Sequence, residues 1–232
     1  MPDNIHDTKV MLERHHRDGD RFAQMMLETA NGRFNDEFWQ CWQQWIEPVL
    51  GKSGLVLDLG SGPGAFIHLL ANRMPGIRIM GVECMDYMIE AAGELPPGCE
   101  IIAADLHDPQ LPVSTGSVDA ALAAVVLHEM NQPVRALREL QRCVRPGGRI
   151  VVLDWVRVPL EQYLAGENAD PFVQEKSAAE IEDIFVHFVE HNRFSAGDLR
   201  FMLQKTGFKV LEVGSRTLSR MVCPFGTVPR LK

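Results

Sequence analysis

Gly54-Leu55-Val56-Leu57-Asp58-Leu59-Gly60-Ser61-Gly62-Pro63-Gly64-Ala65-Phe66 is an apolar run that stops at an acid and three alternate glycines. It reads as strand, tight loop and helix start. Gly60, Gly62 and Gly64 let the backbone turn sharply and approach a ligand with no side chains in the way. Dinucleotide turns use G-x-G-x-x-G, with the helix N-terminus facing a pyrophosphate. Here the spacing is G-x-G-x-G, and Asp58 sits in the last residues of the strand. A carboxylate there repels a diphosphate and suits a ligand carrying an amino or cationic group. A purely structural glycine turn also satisfies the pattern, so the surrounding chain has to decide.

Downstream, strands alternate with helices, which implies parallel strands joined by right-handed crossovers. The helix after the glycine loop buries Ile67, Leu70 and Met74 and stops at Met74-Pro75-Gly76. A second strand, Ile77 to Val82, delivers Glu83, whose two oxygens can accept both hydroxyls of a ribose. A third strand, Cys99 to Ala104, closes on Asp105-Leu106; Asp105 can serve a ligand or cap the turn into Leu106-His107-Asp108-Pro109. Val118 to Leu127 is almost continuously apolar, as a central strand buried on both faces requires, and runs into His128-Glu129-Met130. Pro133 starts a helix with Val134, Leu137 and Val144 inward, and Arg145-Pro146-Gly147-Gly148 turns into a fifth strand, Arg149 to Val156.

The flanks are less regular. Residues 1–50 read as a helical extension and partial lid, with a helical stretch from Lys9 to Ala30 that stops at Asn31-Gly32 and a further helix capped by Asn35. His15-His16-Arg17-Asp18-Gly19-Asp20 can supply metal ligands or substrate contacts, but a solvated helix end with a turn is the simpler expectation. Residues 51–232 form the main domain, with an insertion at about 157–194 that includes a helix from Phe172 to Glu190 and acts as a partial cap. Ser195 and Asp198 predict a capping box on a last helix that ends at Gly207, followed by a hairpin from Lys209 to Thr217 and Met221 to Val228.

Composition narrows the class. The chain has 232 residues and 46% hydrophobic content, enough for one large α/β domain. A formal net charge of -8 with no basic run argues against a nucleic-acid partner, whose phosphates need neutralising by Lys and Arg. Five scattered cysteines, with no C-x-x-C pair, suit a reducing cytoplasm. No apolar run approaches the ~20 residues of a membrane span.

With these pieces placed, the chain from Leu55 onward resembles the class I S-adenosylmethionine-dependent methyltransferases. The motifs carrying the resemblance are Val56 to Gly64, Gly81-Val82-Glu83, Asp105-Leu106, Val118-Asp119-Ala120-Ala121-Leu122 and Val144-Arg145-Pro146-Gly147-Gly148. Leu127-His128-Glu129-Met130 and Thr206-Gly207-Phe208 resemble the small-molecule branch that includes ubiquinone and menaquinone biosynthesis enzymes. The resemblance implies a three-layer Rossmann-like sheet of seven strands, order 3-2-1-4-5-7-6, with the last strand antiparallel. It implies S-adenosylmethionine as methyl donor and S-adenosylhomocysteine as product. Asp58 and Gly60, with Ser61, Gly62 and Gly64, would hold the methionine moiety, Glu83 with Cys84 beside it the ribose, and Asp105 with Leu106 the adenine.

The chain also departs from some branches. An Asn/Asp-Pro-Pro-aromatic group, used for nucleobase amino methylation, is replaced by His128-Glu129-Met130. Glu129 and Asp154 offer a partial match to metal-dependent catechol-type enzymes, but no Asp-Asn pair follows the fifth strand, and no metal is expected. Cys84 raises a thiol-ligated substrate, without clustered cysteines to support it. The expected reaction is in-line methyl transfer to an O, N, C or S atom of a small molecule, with His128 as general base near its ordinary pKa of about 6.5 and Glu129 as second candidate. Tyr163, His187 and His191 are candidates for substrate contact. Two alternatives are a non-catalytic cofactor-binding accessory protein of the same fold and a zinc hydrolase through His187-Phe188-Val189-Glu190-His191, which matches H-x-x-E-H. The acceptor and the oligomeric state are not written in the sequence.

Overall fold

Strand β1 (Leu55–Leu59) lies at the centre of the sheet, with Val56 and Leu57 fully buried on opposite faces, as a parallel strand covered on both sides demands. In the computed structural model, residues 4–167, 171–173, 175–190, 192–215 and 221–227 are described. Five helices precede β1: α1 (Asn4–His16), α2 (Gly19–Glu28), α3 (Ala30–Arg33), α4 (Asp36–Trp45) and α5 (Glu47–Leu50). After it come α6 (Ala65–Arg73), β2 (Arg78–Glu83), α7 (Asp86–Ala91), β3 (Cys99–Ala103), β4 (Val118–Ala124), α8 (Val134–Cys143) and β5 (Val144–Trp155). The chain continues through α9 (Leu160–Glu167), α10 (Ala178–Glu190), α11 (Ala196–Lys205), β6 (Lys209–Ser215) and β7 (Met221–Thr227).

The seven strands run in the order β3-β2-β1-β4-β5-β7-β6, and β7 is antiparallel to both its neighbours. β1 pairs in parallel with β2 on one side and β4 on the other, so the strand order reverses there. That reversal opens a crevice at the C-terminal ends of the strands, where open α/β sheets bind ligands. Apolar layers cover both faces. On one, Leu137 and Leu140 of α8 and Leu199 and Leu203 of α11 pack with Leu57, Leu59 and Val152. On the other, Phe38 and Trp42 of α4 and Phe66 and Leu70 of α6 pack with Val56, Leu122 and Val151.

Several boundaries differ from the expected ones. The helical stretch expected over Lys9–Ala30 breaks at Arg17, which adopts φ 61°, and Asp18 caps α2 by accepting from the Arg21 amide at 3.1 Å. β4 ends at Ala124 instead of Leu127, because Val125 turns to φ 57°, a conformation β-branched residues rarely take. β5 begins at Val144, which pairs with Val118 before the register shifts across the proline-glycine turn. In the insertion, a break separates α9 from α10, and the latter starts at Ala178, where Ser177 and Glu180 exchange capping bonds. The Asn35 cap and the Ser195–Asp198 capping box form as expected. Of the expected hairpin, 216–217 and 228 lie outside the described residues. Among the described residues, no helix is long and apolar enough to cross a membrane.

Candidate functional site

The turn after β1 is the most constrained backbone in the crevice. Gly60 has φ 65°, and a Cβ there would stand 2.4 Å from Val126 Cγ2, so only glycine fits between the loop and the segment after β4. The loop is pinned at its centre, where the Ser61 amide donates to the Val82 carbonyl at 3.0 Å and the Gly64 amide to the Ser61 carbonyl at 3.0 Å. Gly64 caps α6. Asp58 and the Ser61 hydroxyl are buried, and Asp58 Oδ2 and Ser61 Oγ have no hydrogen-bond partner among the described residues. Burial, reinforced by the Glu83 charge, lifts the Asp58 carboxyl well above the usual carboxylate range. Asp58, Ser61 and Gly64 stand behind the cleft and are not among the residues that line it.

Glu83, at the end of β2, is held by three backbone amides: Gly62 donates to Oε2 at 3.0 Å, and Cys84 and Met85 to Oε1 at 2.8 and 2.9 Å. Burial raises its pKa, and the Met85 and Cys84 amides work against that rise. Oε2 keeps an acceptor position for a ligand hydroxyl. Asp105 caps the turn and faces the crevice. Its carboxylate caps the turn, accepting from the His107 amide at 2.8 Å and from the Thr8 hydroxyl at 3.0 Å, and it also lines the crevice. Burial would raise its pKa, but the His107 and Thr8 bonds overcome this and hold it below the ordinary value. Gly60, Gly62, Glu83, Cys84, Asp105 and Leu106 share one cleft, whose far wall is Leu12, His16, Phe22 and Met26 of the N-terminal helices. The Cys84 thiol is buried and its pKa is pushed up by that burial, so it lines the cleft as a neutral group.

Behind the same wall lies a second cavity of about 270 Å³, lined by Met11, Arg14, His15, His128, Glu190 and Arg193, among others. Leu12 and Glu129 line both spaces. His128 is 1% exposed. Its Nδ1 lies 2.6 Å from Asp154 Oδ1, while the Trp155 amide donates to Oδ1 and the Leu127 and His128 amides to Oδ2. Because Asp154 only accepts here, Nδ1 is the donor, and Nε2 of the neutral ring carries the lone pair. Burial opposes charge on His128, but Asp154 overcomes it and raises the pKa. With four donors on it, Asp154 has no acceptor position left for a cation, which removes it as the metal partner of Glu129.

The histidines at the end of α1 are not a solvated helix end: His16 is buried, and both rings face Glu129. The break at Arg17 turns them inward, and Arg17 ion-pairs with Asp183 while His15 Nδ1 meets Glu190 Oε2 at 2.8 Å, joining α1 to α10. Glu129 itself would be raised by burial, but His16, His128 and His15 hold its carboxyl below the usual value. Tyr163 is packed edge-on against Phe188 and lines neither cavity; His187 stands beside His15, also off both linings. His191 lies outside the described residues. Glu190 of the H-x-x-E-H stretch is committed to His15. Sequence reasoning missed Asp154 as the partner of His128; an acid near the end of the fifth strand was the available signal.

Residues 57–152 match the family described as "Methyltransferase domain". A ubiquinone/menaquinone biosynthesis C-methyltransferase of Syntrophotalea carbinolica is 31% identical over 122 residues, covering 52% of this chain and 51% of the relative. A demethylmenaquinone methyltransferase of Thermotoga maritima is 33% identical over 99 residues, covering 43% and 42%. The chain thus spans about half, or less, of the length of these curated relatives. Among solved structures, an S-adenosylmethionine-dependent methyltransferase from Aquifex aeolicus superposes with a TM-score of 0.65 at 16% identity, covering 90% of this chain and 98% of that one. That likeness establishes the fold.

Proposed function

We propose that the chain carries a class I S-adenosylmethionine-dependent methyltransferase domain, a reading supported by the match of residues 57–152 to a methyltransferase domain, and that the protein moves a methyl group from S-adenosylmethionine to an O, N, C or S atom of a small molecule. The observation that carries the reading is the pair of cavities sharing Glu129 and Leu12, one built from the glycine loop and strand ends, the other from polar side chains. Donor and acceptor meet across that wall.

In the donor cleft, Asp58 takes the ammonium of the methionine moiety near Gly60, Ser61, Gly62 and Gly64. Glu83 takes the ribose beside Cys84, and Asp105 with Leu106 takes the adenine. The acceptor occupies the second cavity, with residues 1–50 as partial lid and 157–194 as partial cap; the Arg17–Asp183 and His15–Glu190 pairs that join them support this division. His128 Nε2, oriented through Nδ1 by Asp154, accepts the acceptor's proton. The acceptor's lone pair forms the new bond to carbon, the C–S bond breaks with its electrons left on sulfur, and S-adenosylhomocysteine is released. Alignment and exclusion of water supply the rest of the rate. The reduced thiols at Cys84, Cys99 and Cys143 suit a reducing, cytoplasmic setting, and the acidic chain does not favour a nucleic-acid acceptor.

Titration calorimetry with S-adenosylhomocysteine tests the donor site; the expected result is one site per chain, and no detectable binding sinks the reading. Transfer of labelled methyl groups from the donor into a fractionated cell extract identifies the acceptor. Label in protein or RNA, in place of a small molecule, overturns the acceptor class.

A further inference from the structure

One polar cluster on the shared wall is not used by donor binding or by the His128–Asp154 pair. His15 Nε2 and His16 Nε2 each stand 3.7 Å from Glu129 Oε1, and the three groups bring their ligand atoms within 4.8 Å of one another. That separation is too long for an N–H···O hydrogen bond. Two atoms bound at ~2.1 Å to one ion at a near-tetrahedral angle stand ~3.4 Å apart, close to what is seen.

The outer nitrogens are already fixed. His15 Nδ1 lies 2.8 Å from Glu190 Oε2, and His16 Nδ1 is hydrogen-bonded to Tyr87 Oη. A ring nitrogen held from outside by a carboxylate or hydroxyl, with its other nitrogen aimed inward, is how metal-binding histidines are oriented. His16 supplies the independent sign: its side chain is 4% exposed, and its buried Nε2 has no hydrogen-bond partner among the described residues.

We infer that His15 Nε2, His16 Nε2 and a Glu129 carboxylate oxygen bind one divalent cation of the imidazole-preferring kind, such as Zn²⁺ or Fe²⁺, between the two cavities. Two imidazoles and one carboxylate disfavour Mg²⁺ and Ca²⁺, which take oxygen ligands. Three protein ligands leave an open coordination position, the arrangement of catalytic centres as opposed to structural ones. His16 lines the donor cleft, His15 the second cavity, and Glu129 both, so the open position serves an oxygen or sulfur atom of the acceptor. That last role rests on the methyl-transfer reading; the cation site does not.

The test uses the full chain, stripped with chelator, desalted and titrated with Co²⁺ as a spectroscopic stand-in. One Co²⁺ per chain is expected, with visible d–d absorption that Zn²⁺ abolishes and millimolar Mg²⁺ does not. His16→Ala and Glu129→Gln should each weaken binding about 100-fold, and Glu190→Gln about 10-fold, since removing an outer partner costs metal affinity. Circular dichroism confirms folding, and His16→Gln replaces His16→Ala should the alanine variant not fold. Absence of stoichiometric Co²⁺ binding by the folded wild-type chain, or a spectrum unchanged in the His16 and Glu129 variants, overturns the site. Calorimetry with S-adenosylhomocysteine on the same sample separates the outcomes: cation binding without nucleoside binding leaves the site standing and removes methyl transfer, and the reverse removes the site only.

Discussion

The two cavities are built by different rules. The cleft proposed for the donor has one wall framed by backbone: the Gly62 amide on Glu83 spans 21 residues, and the Ser61 amide meets Val82 across adjacent parallel strands. The second cavity is framed by side chains brought from far apart, with His15 meeting Glu190 over 175 residues. A backbone cradle of this sort recognises what every substrate of the fold shares, whereas a side-chain wall can be altered without touching the sheet. The contrast predicts that damage on one side appears as lost donor affinity and damage on the other as lost turnover.

The largest effect is expected from His128→Ala, which should lower turnover about 100- to 10,000-fold while calorimetric binding of S-adenosylhomocysteine is kept. In the wild type, a base whose pKa is raised stays protonated, and idle, to a higher pH. Turnover should therefore climb through an apparent pKa above 6.5, and His128→Ala should lack that limb. A flat wild-type profile from pH 6 to 9 would remove His128 as the base. Next, Gly60→Ala places a methyl against Val126 on a backbone with φ 65° and should weaken donor binding about 100-fold. Calorimetry showing unchanged affinity would break the idea that this loop shapes the donor site.

Glu83→Ala strands three backbone amides as well as a ribose contact, and a loss of about 10- to 100-fold in donor affinity follows. A purely structural Glu83 would instead lower the melting temperature and leave affinity in the folded fraction intact. The smallest effect belongs to Arg17→Ala. Its ion pair with Asp183 is partly exposed and contributes about 0–1 kcal/mol to stability. If the pair closes the acceptor side, KM for the acceptor should rise a few-fold with donor affinity unchanged; a change in donor affinity alone would argue that the division between the cavities is misplaced.

The same division explains what could be read from the chain. Strand order, the glycine loop, Glu83, Asp105 and the Ser195 cap are local patterns, each written within a few residues or carried by a motif of the family resembled. The inward turn of His15 and His16 was not legible, because it follows from Arg17 adopting a left-handed backbone and from Glu129 arriving on another element. Asp154 as the partner of His128 needed the pairing of β4 with β5, which brings the end of one strand beside the other. Tyr163 has the right chemistry for an acceptor contact, but its ring is consumed in packing against Phe188.

Asp58 carries a consequence beyond recognition. A buried carboxyl with an idle oxygen is a standing cost on the ligand-free fold. On the proposed function, donor binding through that group would offset the cost, and a ligand at 100 times its Kd adds about 2.7 kcal/mol to the folded state. The fraction of chain exposed to proteases then falls as donor supply rises, so abundance itself becomes tied to the methyl-donor pool. Scarcity would thin the enzyme population through unfolding and degradation, without any separate regulatory site.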